Sequence, residues 1–482
     1  MCLINEMLNQ PESKTLEFKR DLSSPKPILK TLVAFANTAG GRLVIGIGDD
    51  KQCMGVESPL DEEERLSNLI ADSISPRLVP NIELVTVEDK TLLVAEVFLS
   101  SSRPHYLNRE GSEQGVYVRL GSSNRQADQA LIGELRRSVE GIAFDEMPMP
   151  ELSVDDLDIN AAQAVFDDRR GDRRQLDEKS LLTLKLLTRH QNRSVPTQGG
   201  MLLFGKQRTL HFADAWIQCG RFFGTEKIDI FDHIDIEAPL PQAVDEVMLF
   251  LKKHAFRGAD LSEVRRKDLW SIPLGILREV VINALVHSDY SQRGAPIRIT
   301  FLDDRIEVES MGILLPGLTI EEMKQGTSRI RNHVIARVFR EINLIEQWGT
   351  GVRRIFSEAR ELGLAEPKIE EVGMRVRFTI YLAKSHRIDS KQQEVPSPTQ
   401  SPTQSPTQSD QVMQLLRCLA EGEKSAAELR ELLGLKHRQT FRENYLHPAL
   451  EQGLIERTIP DKPNSRLQKY RLKSEASPGL KR

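Results

Sequence analysis

Apolar and polar positions alternate between helical and strand periods along the chain, which predicts a mixed α/β protein. In Pro27 to Asn37, Ile28, Leu32 and Phe35 fall on one helical face, and Gly40-Gly41 supplies a stop. Arg42 to Ile47 then reads as a short buried strand, and Thr91 to Phe98 and Gly115 to Leu120 read as further strands. A helix is expected over Ala130 to Val139. Prolines and acids follow in Phe144 to Asp156, the composition of a linker. Beyond it the pattern predicts a helix over Leu181 to Arg189 and a strand over Ala215 to Phe223, with no motif that carries chemistry. Leu274 to Ser288 is helical and mostly apolar. Strands are expected at Pro296 to Phe301 and Arg305 to Ser310.

Near the C-terminus, Ser397 to Ser409 repeats Ser-Pro-Thr-Gln three times without one large apolar residue, so it reads as an extended spacer. Helices are expected after it at Gln411 to Ala420 and at Ser425 to Leu433, where Ser425 and Glu428 form a capping box. A third helix over His437 to Glu451 and two short strands around Leu454 to Arg457 and Tyr470 to Leu472 complete a winged helix-turn-helix plan.

Composition narrows the class. The 482 residues are 39% hydrophobic and 28% charged, as in an ordinary globular protein of about three domains. Sixty-six Lys and Arg against 70 Asp and Glu give a net charge of −4, so any nucleic-acid surface must be local. From Gln411 onward the balance reverses, 14 basic against 9 acidic residues, or 14 − 9 = +5. The 4 cysteines stand far apart, without a C-x-x-C pair, which excludes a zinc ribbon and a disulfide framework. With no apolar leader and no long apolar run, a cytoplasmic protein without a membrane partner is expected.

The candidate chemistry lies first on the helix Leu274 to Ser288. Glu279 and Asn283 are four residues apart and share one face, where a carboxylate can orient water and an amide oxygen can hold a hard cation. Such a pair also occurs on ordinary helix surfaces. Its context is more specific: His287-Ser-Asp-Tyr290, Met311-Gly312-Ile-Leu-Leu-Pro-Gly317, Gly326-Thr-Ser-Arg-Ile-Arg331-Asn332 and Glu346-Gln-Trp-Gly349-Thr-Gly351 follow in order. This set resembles the GHKL (Bergerat-type) ATPases in the divergent form of the RecG-like C-terminal ATP-binding proteins. The resemblance implies an α/β sandwich that binds ATP with Mg²⁺. Glu279 would activate water and Asn283 would hold Mg²⁺, while Gly312, Gly317, Arg331, Gly349 and Gly351 would surround the nucleotide. Where the family has D-x-G-x-G, this chain has Glu309-Ser310-Met311-Gly312, with no Asp to read the adenine amino group. It also has no G-x-x-x-x-G-K-[ST] phosphate loop, so a P-loop helicase motor is rejected.

Glu12-Ser-Lys-Thr-Leu-Glu17-Phe-Lys19, Ala34-Phe-Ala-Asn37-Thr-Ala-Gly40-Gly41, Gly46-Ile-Gly48-Asp49-Asp50 and Arg119-Leu-Gly121-Ser-Ser-Asn-Arg125 together resemble the AlbA-like domain of the Schlafen family. Arg103, His105, Arg109, Arg119 and Arg125, with Tyr106 and Tyr117 among them, could supply phosphate contacts and stacking surfaces. A solvated charged surface is the plainer alternative. In Schlafen-type ribonucleases an acidic cluster binds a metal, and the resemblance aligns Glu12, Glu17 and Asp49 with it. The C-terminal wording also resembles the winged-helix tail of Fic-like proteins. On the DNA reading, Arg438, Thr440, Arg442 and Asn444 lie on or near its third helix, and Lys462, Arg466 and Lys469 lie on its wing.

The expected organisation is an AlbA-like domain over 1–145, a connecting α/β segment over 150–255, a GHKL-like domain over 256–385, a linker over 386–410 and a winged helix over 411–475. The expected function is an ATP-binding, nucleic-acid-binding regulator of transcription or antiviral defence. DNA is the first partner and RNA the second, with a homo-oligomer left open. The alternatives are a nucleotide-gated, metal-dependent ribonuclease and a scaffold that has lost nucleotide affinity.

Overall fold

The structure is a computed structural model. It describes residues 7–170, 175–255, 257–260, 267–345 and 351–382, and parts of 415–473. The chain divides into two compact units, residues 1–389 and 390–482.

The first unit begins with a four-stranded sheet. Its strands are β1 (Leu16–Lys19), β2 (Gly41–Ile45), β3 (Asn81–Val87) and β4 (Lys90–Val97), in the order β1-β2-β4-β3, with only the β1–β2 pair parallel. Helix α1 (Pro25–Asn37) joins β1 to β2, as a parallel pair requires. Its apolar face, including Ile28, Leu32 and Phe35, is wholly buried with α2 (Pro59–Ser73) in one core. A hairpin of β5 (Tyr117–Leu120) and β6 (Ser123–Gln126) follows, then α3 (Gln129–Glu140), which is N-capped by Asp128.

The run read as a linker has two buried residues, Asp145 and Met149, among half-buried and exposed ones. Asp145 is fully buried, and its carboxylate accepts the backbone N–H groups of His333, Val334 and Ile335 at 3.0, 2.7 and 3.0 Å. It thereby caps α10, a helix almost 190 residues further along the chain, described below. The expected helix over Leu181 to Arg189 also differs. Helix α5 (Glu178–Thr183), preceded by α4 (Ile159–Arg170), ends early because Lys185 takes a positive φ of 59°. The chain then turns into a hairpin of β7 (Leu187–His190) and β8 (Arg193–Pro196).

After α6 (Gln198–Phe204) a six-stranded mixed sheet begins with β9 (Ile217–Phe222) and β10 (Ile230–Ile236), so the segment without motifs supplies its first two strands. Helices α7 (Leu240–Lys253) and α8 (Leu274–His287) come next, followed by β11 (Ile297–Phe301) and β12 (Arg305–Met311). Then come α9 (Ile320–Gln325), α10 (His333–Glu341) and α11 (Gly351–Glu361), and β13 (Lys368–Val372) pairs with β14 (Arg375–Tyr381). The strand order is β10-β9-β11-β12-β14-β13, with β9 and β11 parallel. Helix α8 packs on α7, α11 and β12 in one continuous apolar core.

The period-2 pattern of β12 explains the sheet's two faces. Ile306 and Val308 enter the core, while Glu307 and Glu309 on the opposite face pair with Lys227, Arg305 and Arg377 at 2.7–3.2 Å.

In the second unit, β15 (Lys424–Ser425), β16 (Ile455–Arg457) and β17 (Lys469–Leu472) form a sheet in the order β15-β17-β16. It packs with α12 (Ala426–Leu432) over a core that includes Leu419, Leu429, Phe441 and Tyr470. The capping box of Ser425 and Glu428 is present at the start of α12.

Candidate functional site

Helix α8 is apolar nearly all round, as befits a helix enclosed by the core. Glu279 and Asn283 interrupt it on one face, one turn apart, and both line a cavity of about 280 Å³. The cavity floor is Val308 and Ser310 of β12 with Val376 and Phe378 of β14. Its cover is the segment from Ile313 to Arg331, and the N-terminal end of α11 closes one side.

The lining combines apolar side chains, among them Val308, Ile313, Leu318 and Phe378, with Arg329, Arg340 and Arg354 as well as Glu279 and Asn283. Apolar walls with a few cationic and hydrogen-bonding groups suit a ligand that joins a flat base to an anion. The Asn283 Nδ2 donates to Glu279 Oε1 at 3.4 Å, which turns the amide oxygen toward the role of cation ligand. Glu279 Oε2 lies 4.0 Å from Arg354. A Cβ on Gly351 would come within 1.9 Å of Glu279 Oε1, so a larger residue at the start of α11 would displace this carboxylate. His287 also lines the cavity. Burial first, and then the Arg331 guanidinium, push it down to about 4, so its imidazole is neutral near pH 7.

The other residues expected around a nucleotide take different places. Gly312 has a positive φ of 100°, and a Cβ there would meet Arg331 Nη1 at 2.0 Å. Arg331 itself is buried. It donates to the backbone oxygens of His287 and Ile313 and pairs through Nε with Glu134 of α3 at 2.9 Å. Gly317 donates its amide to the Thr38 carbonyl at 2.6 Å, so this glycine joins the cover to the N-terminal sheet. Gly349 lies outside the described residues. Ser310, in the stretch Glu309-Ser310-Met311-Gly312, is buried and on the cavity floor. Sequence reasoning missed Arg329, Arg340 and Arg354. Two of them had a signal: Arg329 stands inside the run Gly326 to Asn332, and Arg354 stands three residues beyond Gly351, on the first turn of α11.

In the N-terminal segment, Glu17 is buried and held by Lys19 at 2.5 Å and by Arg119. Glu12 accepts the Phe18 amide at 3.0 Å, and Asp49 is exposed after β2. Among the described residues no three His, Cys, Asp or Glu side chains come together as a metal-holding group.

Arg119 is wholly buried. It donates to the Ser13 and Leu16 carbonyls at 3.1 and 3.3 Å and to Asn124 Oδ1 at 3.0 Å, which places it in the core of the segment. His105 is also buried, with its ring nitrogens on Pro76 O and Ser100 Oγ at 2.7 and 2.6 Å. Arg103 is half-buried and faces the space between α3 and the cavity cover. Arg125 is exposed on β6. In the second unit Lys469 is exposed on β17, whereas Arg438, Arg442, Lys462 and Arg466 lie outside the described residues. No helix among the described residues is long and apolar enough to cross a membrane.

Three family profiles match the chain. "Schlafen, AlbA_2" matches residues 12–128, "Putative ATP-dependent DNA helicase recG C-terminal" matches 294–380, and "Filamentation induced by cAMP protein Fic-like, C-terminal domain" matches 410–473. No curated protein matches. Among solved structures, the N-terminal domain of a putative ATP-dependent DNA helicase RecG-related protein from Nitrosomonas europaea is 30% identical. That alignment covers 26% of this chain and 91% of that one, with a TM-score of 0.22. The DIP2311 protein from Corynebacterium diphtheriae is 18% identical over 98% of this chain and 96% of its own, with a TM-score of 0.43. A Fic family protein from Desulfovibrio desulfuricans is 16% identical over 72% and 77%, with a TM-score of 0.13. The chain therefore carries segments similar to a Schlafen-type AlbA_2 domain, a recG C-terminal ATPase-type domain and a Fic-like C-terminal domain, a combination that suggests an ATP-binding, nucleic-acid-associated protein.

Proposed function

We propose that the chain is a nucleotide-controlled regulator in which Mg-ATP occupies the cavity over Glu279 and Asn283, as in a GHKL-type site. The observation that carries this reading is the cavity itself. Apolar walls, arginines and an i, i+4 carboxylate–amide pair line it under a cover that reaches the AlbA_2-type segment. Asn283 would hold the metal ion through its amide oxygen, and bound Mg²⁺ would neutralise phosphate charge. Glu279 is placed to orient water, Arg340 and Arg354 to receive phosphate oxygens, and Ser310 to meet the base edge. The AlbA_2-type segment and a winged helix in the second unit would carry nucleic acid, DNA foremost, through exposed residues such as Arg125 and Lys469.

The ribonuclease alternative is less well supported, because Glu17 is already paired with two cations and does not join Glu12 and Asp49 in one cluster. The test is calorimetric titration of the full chain with ATP, with and without Mg²⁺. Wild type is expected to bind, and Asn283→Ala to lose at least tenfold in affinity in the presence of Mg²⁺. Equal Mg²⁺-dependent affinity in the two proteins would overturn the assignment.

A further inference from the structure

Behind the cavity cover lies a second cavity, of about 320 Å³, bounded by α3, by Ile142 to Phe144 and by the outer side of Leu315 to Arg331. Four arginines line it, Arg103, Arg137, Arg329 and Arg331, with two acidic residues, Glu134 and Asp289, a local balance of 4 − 2 = +2. Both carboxylates are engaged. Glu134 pairs with Arg331, and Asp289 accepts from Ser291 Oγ at 2.6 Å and Gln292 Nε2 at 2.9 Å.

Arg103 and Arg329 have only neutral hydrogen-bond partners among the described residues, and Arg137 meets Glu134 through its charge alone. Arg103 donates to Ser100 O and, at 3.2 Å, to Ser138 Oγ, and its buried Nε has no hydrogen-bond partner. Arg137 reaches Ser291 Oγ at 3.4 Å and lies over the Phe144 ring at 5.4 Å, and Arg329 donates to Pro316 O at 2.7 Å. Burial, and next the nearby Arg329, hold the Arg103 guanidinium below its usual range. Gathering like charges and removing one of them from water is costly unless an anion joins them. Guanidinium groups suit phosphate in particular, since their forked N–H groups match two oxygens at once.

We propose that this cavity is a second phosphate-binding site, separate from the one over Glu279 and Asn283, taking the phosphate of a nucleotide or of a nucleic-acid end between Arg103 and Arg329. A phosphate there ties the N-terminal segment to the cavity cover, because Arg103 belongs to the first and Arg329 to the second. The site stands whether or not ATP occupies the first cavity.

The probe is inorganic phosphate, titrated into the full chain in chloride buffer and followed by calorimetry or phosphorus NMR. Wild type is expected to bind it, Arg103→Gln to bind at least tenfold more weakly, and Asn283→Ala to bind as wild type does. Ser138→Asp provides an independent variant, since its carboxylate would pair with Arg103 and exclude phosphate without removing a cation. Displacement of phosphate by AMP identifies a nucleotide as the source. Displacement by a 5′-phosphorylated oligonucleotide, but not by its 5′-hydroxyl form, identifies a nucleic-acid end. Unchanged binding in both Arg103→Gln and Ser138→Asp, loss in Asn283→Ala, or displacement by neither competitor overturns the proposal. Failure of the ATP reading would show separately, as unchanged Mg-ATP affinity in Asn283→Ala.

Discussion

Glu134 and Arg331 meet where α3 rests against the cavity cover, and both side chains are more than nine-tenths buried. Burial acts more strongly on the carboxyl than its partner's charge does, and pushes Glu134 from 4.5 up to about 7. The sign of the pH effect follows. A carboxyl whose pKa is raised on folding contributes stability that is fully present below 4.5 and is lost as pH rises through about 7. Glu134→Gln does not titrate, so its stability relative to wild type should improve between pH 5 and pH 8, by roughly 1–3 kcal/mol. Thermal unfolding of both proteins across that range checks this, and a pH-independent difference would sink it. The same residues show what sequence can convey about a site. Asn283, Glu279 and Gly351 were legible because the spacing on one helix and a glycine turn are local features. The burial of Arg331 and Arg119 was not, since an arginine looks alike in sequence whether it meets a phosphate or a buried glutamate.

At the level of elements, the cap at Asp145 illustrates how a distant helix end is satisfied. The first turn of α10 leaves backbone N–H groups without intrahelical partners, and three of them point at one buried carboxylate. Asp145→Ala strands those donors and should cost about 2–4 kcal/mol, more than an exposed cap, whereas Asp145→Asn keeps one acceptor oxygen and should cost less. Calorimetric unfolding of the three proteins measures the order, and an Asp145→Ala transition coincident with wild type would refute it. Composition hid this role, because prolines and acids in Phe144 to Asp156 have the same make-up as a solvated connector. Most helices and strands with a regular period stand within a few residues of their sequence-read bounds. The topology did not follow from period alone. Strands β9 and β10 come from a segment without motifs, and β9 joins β11 only after two intervening helices, a long-range pairing that no local pattern encodes. The end of α5 failed for a smaller reason, a positive φ at a lysine, which carries no compositional mark.

Across the first unit, three links fasten the cavity cover to the AlbA_2-type segment and to α3 that follows it. Gly317 N–H binds Thr38 O, Arg331 pairs with Glu134, and Lys14 pairs at 2.8 Å with Glu371, whose other oxygen accepts the Leu314 amide at 2.8 Å. Thr38 in turn accepts the Arg119 amide on its Oγ1 at 2.9 Å, and Arg119 holds Glu17. A ligand that moves or stiffens the cover therefore changes contacts that reach the core of the N-terminal segment. A ligand shifts an equilibrium only by as much as its affinity differs between the two states, and the shift is reciprocal. If Mg-ATP and nucleic acid both prefer one arrangement of these links, ATP should raise affinity for a labelled DNA duplex or RNA strand by about 5–150-fold, and the oligonucleotide should raise ATP affinity by the same factor. The pair Lys14→Met with Glu371→Gln removes one link without leaving a lone buried charge, and Gly317→Ala drives a Cβ to 2.7 Å from Leu99 at a φ of +77°. Either change should bring the factor toward one while each ligand, tested alone, still binds. Anisotropy titrations with and without Mg-ATP, at a single stated salt concentration because phosphate contacts weaken with salt, measure the factor. Wild-type affinities that ignore each other would show that the links hold the structure together without transmitting a signal.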